Sequence, residues 1–256
     1  RSASTACSTG ATSGIGPSRA DERRAAAAQA LAPPWGERPE GPQGAALTEV
    51  VELHDRSIRL HGSALATRLL AAFGWRVKFE GLPSRQGVAI VYPHTSNWDF
   101  VIGLLAKWAI GFPLSFWGKD SLFRIPLFGR WMRWVGGVPV DRHNPRGVVG
   151  QMIDRMSAAK AADEFFWLAL SPEGTRSYTE HWRSGFYQVA LKAGVPLGLA
   201  YFDFDDKVIG VDNFIVLSGD ADADMAAIAA RLGHHRGRKP HLAAPIRLPR
   251  NKDAKA

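Results

Sequence analysis

A histidine and an aspartate stand five positions apart in residues 93–100, which read Pro-His-Thr-Ser-Asn-Trp-Asp-Phe. His94 follows an apolar run, and Asp99 falls where the next apolar segment begins. An imidazole beside a helix N-terminus tends to stay neutral, because the helix dipole disfavours positive charge there. A carboxylate on the first turn can accept a hydrogen bond from one ring nitrogen and leave the other free to take a proton. This pattern makes His94 a candidate general base and Asp99 the group that orients it.

The spacing alone leaves a second interpretation open. The chain contains eight histidines and fifteen aspartates, so chance alone gives about half an occurrence of a pair at this spacing. Asp99 could be an ordinary first-turn helix carboxylate and His94 an ordinary loop histidine. Position favours the chemical interpretation, because α/β folds place reactive groups at the ends of their strands.

The segments around this pair alternate between strand and helix patterns. We predict strands at 75–80, 88–92, 112–117, 136–141, 165–170, 195–202 and 208–211, and helices at 64–73, 97–110, 147–162, 185–193 and 222–232. Ser63 and Gly74 are the predicted cap and stop of the first helix. This alternation predicts an α/β fold with a mixed, mostly buried β-sheet flanked by helices.

Three further stretches carry glycines and charged residues at strand ends. They are 118–123 (Gly-Lys-Asp-Ser-Leu-Phe) leading to 136–142 (Gly-Gly-Val-Pro-Val-Asp-Arg), 171–177 (Ser-Pro-Glu-Gly-Thr-Arg-Ser), and 184–186 leading to 193–197 (Ala-Gly-Val-Pro-Leu). Together with residues 93–100 they resemble, in order and spacing, the four sequence blocks of the glycerolipid acyltransferase superfamily. The best-known members are the 1-acylglycerol-3-phosphate acyltransferases. The resemblance covers roughly residues 65–215 and is specific because four separate motifs agree.

The resemblance implies an enzyme that moves a fatty acyl group from acyl-CoA or acyl carrier protein to the hydroxyl of a lysophospholipid. His94 is then the base and Asp99 its partner, and lysophosphatidic acid, giving phosphatidic acid, is the first-ranked acceptor. No metal or resident cofactor is expected, since the acyl carrier enters as a co-substrate. No covalent acyl-enzyme is expected either, because the blocks contain no cysteine and no Gly-x-Ser-x-Gly elbow. Two alternatives stay open: another lysolipid acceptor, or a non-catalytic lipid-binding protein of the same fold.

The resemblance also implies a site for the phosphate of the acceptor. Its members are Lys119, Arg142, Glu173, Gly174, Thr175 and Arg176. An arginine fork matches a phosphate monoester bidentately, although a surface salt bridge is the alternative role for Arg142 and Arg176. A carboxylate would repel phosphate, so we expect Glu173 to position Arg176 or the loop backbone. Ser171 stands where the family usually has an aromatic residue, and Pro139 interrupts the second block, so both leave the acceptor's identity open.

The two ends of the chain differ in composition from its middle. Residues 1–46 are rich in Ala, Ser, Gly and Pro and are predicted to be a disordered leader. Residues 9–16 match a dinucleotide-binding glycine fingerprint, but no apolar strand precedes them, so we reject that function. We assign residues 47–232 to the acyltransferase domain and residues 233–256 to a basic, disordered tail.

The net charge of +8 is concentrated at the C-terminal end. From Arg231 onward there are eight Lys/Arg and one acid, which leaves 24 basic and 23 acidic side chains in the first 230 residues. We interpret the excess as a solvated tail rather than a nucleic-acid-binding arm, and we expect no nucleic-acid partner, because the folded part has no recognisable nucleic-acid motif.

Three segments could contact an anionic membrane surface: 64–73, 100–110 and the aromatic, basic stretch 122–134. Burial in the core is the alternative for each helix. No run of ~18 apolar residues is present, and residues 1–40 contain no secretory signal. The single cysteine, Cys7, fits a reducing compartment. We therefore expect a peripheral or monotopic protein on the cytoplasmic side of a membrane.

Overall fold

The computed structural model of the chain describes residues 48–51, 57–140 and 145–249. The strands are β1 (Glu49–Val51), β2 (Arg76–Lys78), β3 (Gln86–Tyr92), β4 (Ser115–Lys119), β5 (Gly137–Val140), β6 (Phe166–Leu170), β7 (Leu197–Asp203) and β8 (Val208–Val216). The helices are α1 (Ala64–Ala72), α2 (Trp98–Ile110), α3 (Asp120–Phe123), α4 (Phe128–Trp134), α5 (Pro145–Ala161), α6 (Gly185–Ala193) and α7 (Ala221–Leu232), followed by a 3-10 turn (Pro240–Leu242).

The strands form one mixed sheet in the order β1-β8-β7-β3-β6-β4-β5, with β2 paired to β8. The five strands from β7 to β5 run parallel, whereas β8 runs antiparallel to β7 and β1 antiparallel to β8. Parallel strands are normally covered on both faces, and β6 is buried along its whole length. The carboxyl ends of β3, β6, β4 and β5 therefore lie side by side at one edge.

Alternate residues of β3 point to the two faces of the sheet. Val88 and Ile90 belong to the larger core, which α5, α6 and α7 cover. Ala89 and Val91 contact the opposite cores, which α1, α2 and the segments beside them cover. Both faces of the sheet at β3 are therefore covered by packed side chains.

The predicted α/β class with a mixed, mostly buried sheet is confirmed. The helix predicted at 185–193 has the predicted bounds, and the Ser63 side chain caps α1 by accepting a hydrogen bond from the Ala66 N–H at 3.4 Å. The strand predicted over 112–117 begins at Ser115 instead. The aromatic, basic stretch near 122–134 forms α3 and α4.

The prediction of a disordered tail from residue 233 is wrong for residues 233–249. Ala244 is buried in the larger core, and the backbone of Arg236 and Arg247 is hydrogen-bonded to the domain. The charge count missed this because the small apolar residues between the basic ones pack, while the basic side chains themselves stay exposed. The leader at 1–46, the fingerprint at 9–16 and the end of the tail, 250–256, lie outside the described residues.

None of the helices in the described part of the chain has both the length and the apolar character needed to cross a membrane.

Candidate active site

The predicted site residues follow the carboxyl ends of adjacent parallel strands. His94 lies two residues after β3, Glu173 three residues after β6, and Lys119 ends β4. Arg142, which follows β5, lies outside the described residues. In the sheet order β3-β6-β4-β5, the candidate base follows β3. Glu173 follows the neighbouring strand β6, and Lys119 ends the next strand, β4.

His94 and Asp99 form the predicted pair. The His94 Nδ1 lies 3.2 Å from the Asp99 Oδ2, and the same oxygen accepts a hydrogen bond from the Ser96 N–H at 2.8 Å. The Asp99 side chain is fully buried, whereas the His94 side chain is 20% exposed. A carboxylate facing Nδ1 holds the proton on that nitrogen and leaves Nε2 as the proton acceptor.

The pair is built by the first turn of α2. Asp99 is the second residue of the helix, and Ser96 contributes both its N–H to Asp99 and its Oγ to the Trp98 N–H at 3.2 Å. The Asp99 Oδ1 is buried, and none of the described residues donates a hydrogen bond to it. Asp99 is therefore not only a first-turn helix carboxylate, because its side chain also faces the His94 imidazole.

Glu173 contacts the backbone of the loop that carries His94, whereas the sequence predicted that it positions Arg176 or the backbone of the loop. Its Oε2 accepts a hydrogen bond from the His94 N–H at 2.7 Å, and its Oε1 accepts one from the Ala244 N–H at 3.0 Å. Burial raises the pKa of Glu173, the N–H donors of Ala244 and His94 lower it, and the Asp99 charge raises it; the net effect is a rise from 4.5 to about 7. Glu173 does position backbone, as predicted, but that of residues 94 and 244.

Gly174 gives the 171–177 loop a backbone that other residues adopt only under strain. Its φ is +67°, in the left-handed region that favours glycine. A Cβ at this position would also overlap the side chain of Arg183. The backbone N–H of Arg183 donates a hydrogen bond to the Pro172 O at 2.8 Å. The Arg183 guanidinium group therefore lies directly against the glycine of the loop.

Three basic side chains of this edge point to solvent. Arg176, Arg183 and Lys119 are exposed, and within the described residues none of them forms an ion pair. Thr175 accepts a hydrogen bond from the Ser177 N–H at 3.2 Å and so shapes the same loop. Exposed guanidinium and ammonium groups beside a glycine loop can bind an anion. Lys119 shares the edge but makes no hydrogen bond to the other described site residues.

Sequence reasoning missed Arg183, Tyr92 and Ala244. The signal for Arg183 was available, because it directly precedes Ser184 in the fourth block. The Tyr92 hydroxyl donates to the Ala244 O at 3.1 Å, and burial, then the charge of Glu173, raise its pKa to about 12. No local pattern relates Tyr92 or Glu173 to a residue so far along the chain.

Comparison with known proteins adds family evidence to this geometry. Residues 76–198 match the family model described as Acyltransferase. The chain is 30% identical over 121 residues to a chloroplastic 1-acyl-sn-glycerol-3-phosphate acyltransferase of Brassica napus, covering 46% of this chain and 33% of the relative. It is 28% identical over 141 residues to a 1-acyl-sn-glycerol-3-phosphate acyltransferase of Pseudomonas aeruginosa, covering 51% of this chain and 50% of the relative. The chain thus spans between a third and a half of the length of these relatives.

A solved structure, the 1-acyl-sn-glycerophosphate acyltransferase of Thermotoga maritima, aligns with a TM-score of 0.42 at 18% identity, covering 64% of this chain and 72% of that one. The family-matched segment contains His94, Asp99 and the 171–177 loop and ends before residues 233–249.

Proposed function

Because residues 76–198 match the Acyltransferase family model and the similar proteins are named 1-acyl-sn-glycerol-3-phosphate acyltransferases, we propose that the chain is an O-acyltransferase of the glycerolipid acyltransferase superfamily. It transfers a fatty acyl group from acyl-CoA or acyl carrier protein to the hydroxyl of a lysophospholipid, with lysophosphatidic acid as the acceptor and phosphatidic acid as the product. The observation that carries this proposal is the His94–Asp99 pair, 3.2 Å apart, with one ring nitrogen left to accept a proton.

The proposed reaction proceeds in two steps. First, the His94 Nε2 takes the proton of the acceptor hydroxyl as its oxygen attacks the thioester carbonyl, giving a tetrahedral intermediate. Second, the C–S bond breaks, and the leaving thiolate takes the proton from the imidazolium, so that an ester and a free thiol result. Asp99 stabilises the imidazolium between these steps. The residues need no resident cofactor for this chemistry.

The phosphate of the acceptor is proposed to bind the 171–177 loop. The left-handed backbone at Gly174 removes a Cβ from this surface, and Arg176 and Arg183 offer guanidinium groups to an anion. Lys119, at the end of β4, lies at the same edge, and Arg142 is included in the proposed site from its place in the second sequence block. Glu173 points away from this anion site, toward the backbone of His94, which removes the electrostatic objection to a carboxylate in a phosphate-binding motif.

Lysophosphatidic acid is the preferred acceptor because the relatives named above are 1-acyl-sn-glycerol-3-phosphate acyltransferases. The test supplies the purified protein with acyl-CoA or acyl carrier protein and a panel of lysophosphatidic acid, lysophosphatidylethanolamine, lysophosphatidylcholine and lysophosphatidylglycerol. Products are identified by mass spectrometry. Transfer confined to another lysolipid would overturn the acceptor assignment, and lysolipid binding without transfer from either donor would favour a non-catalytic binding protein.

The same assay tests the base. His94→Ala should abolish turnover while leaving lysolipid binding intact, and His61→Ala, which changes an exposed histidine before α1, should leave turnover unchanged. Equal turnover by His94→Ala and wild type would show that His94 is not the base.

We also propose that the protein binds an anionic membrane surface on the cytoplasmic side. α1 buries Ala66 and Leu70 but leaves Leu65 and Phe73 exposed by 66% and 67%. Trp134, at the end of α4, is 74% exposed, and α4 also presents exposed Arg130 and Arg133. The third segment considered from the sequence, α2, buries one face in the domain. The membrane proposal therefore rests on α1 and α4. Exposed apolar side chains beside arginines are typical of an interface with anionic lipid.

Vesicle co-sedimentation tests the membrane proposal. The double variant Leu65→Ser and Phe73→Ser should bind anionic vesicles more weakly than wild type. The control variant, Ala226→Ser and Ala230→Ser, makes two exposed apolar-to-serine changes on α7, which covers the opposite face of the sheet, and should bind as wild type does. Binding that is indifferent to both lipid charge and the α1 substitutions would refute the proposal.

A further inference from the structure

The C-terminal strap, residues 236–247, crosses the carboxyl edge of the sheet and lies beyond the family-matched segment. At its start, the Arg236 O accepts a hydrogen bond from the Phe204 N–H at 2.8 Å, just after β7. At its end, the Arg247 O accepts one from the Trp182 N–H at 2.8 Å. Between these anchors the strap passes over the loops that follow β3 and β6.

The strap packs directly on the loop that carries His94. Gly237 is buried, and a Cβ there would lie 2.7 Å from the Thr95 Oγ1 and 3.1 Å from the Pro93 Cβ. The Lys239 N–H donates to the same Thr95 Oγ1 at 3.2 Å. The two neighbours of His94 in the chain are therefore both in contact with the strap.

The strap also reaches His94 through Glu173. One carboxylate oxygen accepts from the His94 N–H and the other from the Ala244 N–H. The Tyr92 hydroxyl, two residues before His94, donates to the Ala244 O. Since Glu173 is 2% exposed, these bonds form away from water, where losing one partner is costly.

We propose that the C-terminal strap is part of the catalytic site, because it fixes the backbone of residues 93–95 and thereby the orientation of the His94 imidazole. Gly237, Glu173 and Tyr92 are positioning residues in this scheme, and they act through the backbone rather than on the substrate. The inference rests on the proposed function, in which His94 is the base. Its alternative is that the strap only covers the core through Ala244.

Gly237→Ala tests the inference in the full chain. The added methyl group must displace either the strap or the 93–95 loop, whereas Gly150→Ala, the matched control, adds its methyl group where nothing lies within 4 Å. We expect Gly237→Ala to lower kcat at least ten-fold, since a misplacement of ~1 Å can cost up to about 100-fold, with little change in KM. Gly150→Ala should leave both constants unchanged.

Hydrogen exchange of the His94 backbone amide gives a readout that does not depend on activity. Faster exchange in Gly237→Ala, with exchange in β6 unchanged, supports positioning. If kcat per folded molecule and His94 exchange both match those of Gly150→Ala, the inference is wrong.

Tyr92→Phe provides a milder variant if Gly237→Ala does not fold. It removes one hydroxyl from the Ala244 contact, and Tyr187→Phe, which removes a buried hydroxyl bonded to Asp224 at 2.7 Å, is its control. We expect kcat to fall roughly three- to ten-fold in Tyr92→Phe only. Equal kcat values in the two variants would count against the strap.

His94→Ala separates the two proposals. Turnover retained in that variant would overturn the assignment of His94 as the base, and with it the catalytic role of the strap. Turnover lost in His94→Ala but unchanged in Gly237→Ala and Tyr92→Phe would overturn the strap inference alone.

Discussion

Glu173 makes the stability of the domain depend on pH in a direction that can be worked out from its surroundings. Burial raises the pKa of its carboxyl group from 4.5 to about 7 in the folded protein. Folding therefore favours the protonated form, so this contribution to stability is fully present below pH 4.5 and is lost as the pH rises through about 7. At 1.36 kcal/mol per pKa unit, the difference corresponds to roughly 3 kcal/mol.

Glu173→Gln removes this titration while keeping the shape of the side chain. We expect the free energy of unfolding of wild type, relative to that of the variant, to fall by about 3 kcal/mol between pH 4.5 and pH 8. The measurement is urea unfolding at a series of pH values, with Glu80→Gln at an exposed glutamate as the control. Titrating groups that are distant from Glu173 contribute equally to wild type and variant, so they cancel in the difference. A difference that does not change with pH would refute the buried position of Glu173.

Glu173→Gln should also lower activity, even at a pH where it removes the cost of ionising the buried carboxyl group. A glutamine offers one oxygen to two N–H groups, and its NH2 group faces the second donor, so either the His94 or the Ala244 contact is lost. The stability of the variant relative to wild type is therefore higher at pH 8 than at pH 4.5, while its kcat is lower. This opposition is typical of strained functional sites and distinguishes a positioning carboxylate from one that merely supports the fold.

Three further predictions concern the site. Asp99→Asn should lower kcat by roughly 10²- to 10⁴-fold with little change in KM, because an amide cannot stabilise the imidazolium and can present the wrong partner to Nδ1; steady-state acyl transfer to lysophosphatidic acid measures this, and a change of less than two-fold would contradict it. Gly174→Ala should lower stability by about 1–3 kcal/mol, because its φ is +67° and the methyl group would overlap Arg183; thermal unfolding measures the loss, and an unchanged Tm would contradict the glycine requirement. Arg183→Gln should raise the KM of the phosphate-bearing acceptor about ten-fold or more while leaving the KM of the acyl donor unchanged; equal changes in both constants would place Arg183 outside the acceptor site.

The sequence was most informative where a contact is local. His94 and Asp99 are five residues apart, so the strand end and the first helical turn between them suffice to bring the side chains together. α6 could be bounded because Ser184 and Gly194 flank an amphipathic segment, and Gly194 has the left-handed backbone of a helix stop. The order of the parallel strands follows less directly from the sequence. The four sequence blocks can form one site only if they lie at the same edge of the sheet.

Contacts between segments that are distant in the sequence could not be predicted from local sequence patterns. Glu173 is 79 residues from His94 and 71 from Ala244, whereas the sequence predicted only that it positions Arg176 or the backbone of the loop. A carboxylate can satisfy backbone N–H groups as well as cations, and only the folded chain shows which donors are near. Glu173 is buried against backbone N–H groups whereas Arg176 is exposed, so one motif can contain both an acid and an arginine that is proposed to bind an anion.

The C-terminal strap shows why composition misled at the end of the chain. Residues 233–249 contain four Lys/Arg and no acid, a pattern that in isolation indicates a solvated tail. Packing depends instead on which atoms of the segment face the domain, and here these are Gly237, Ala244 and the backbone groups of Arg236, Lys239 and Arg247. The charged ends can then remain in water while the backbone is bound. A segment can therefore be basic on its exposed side and packed against the domain on its buried side.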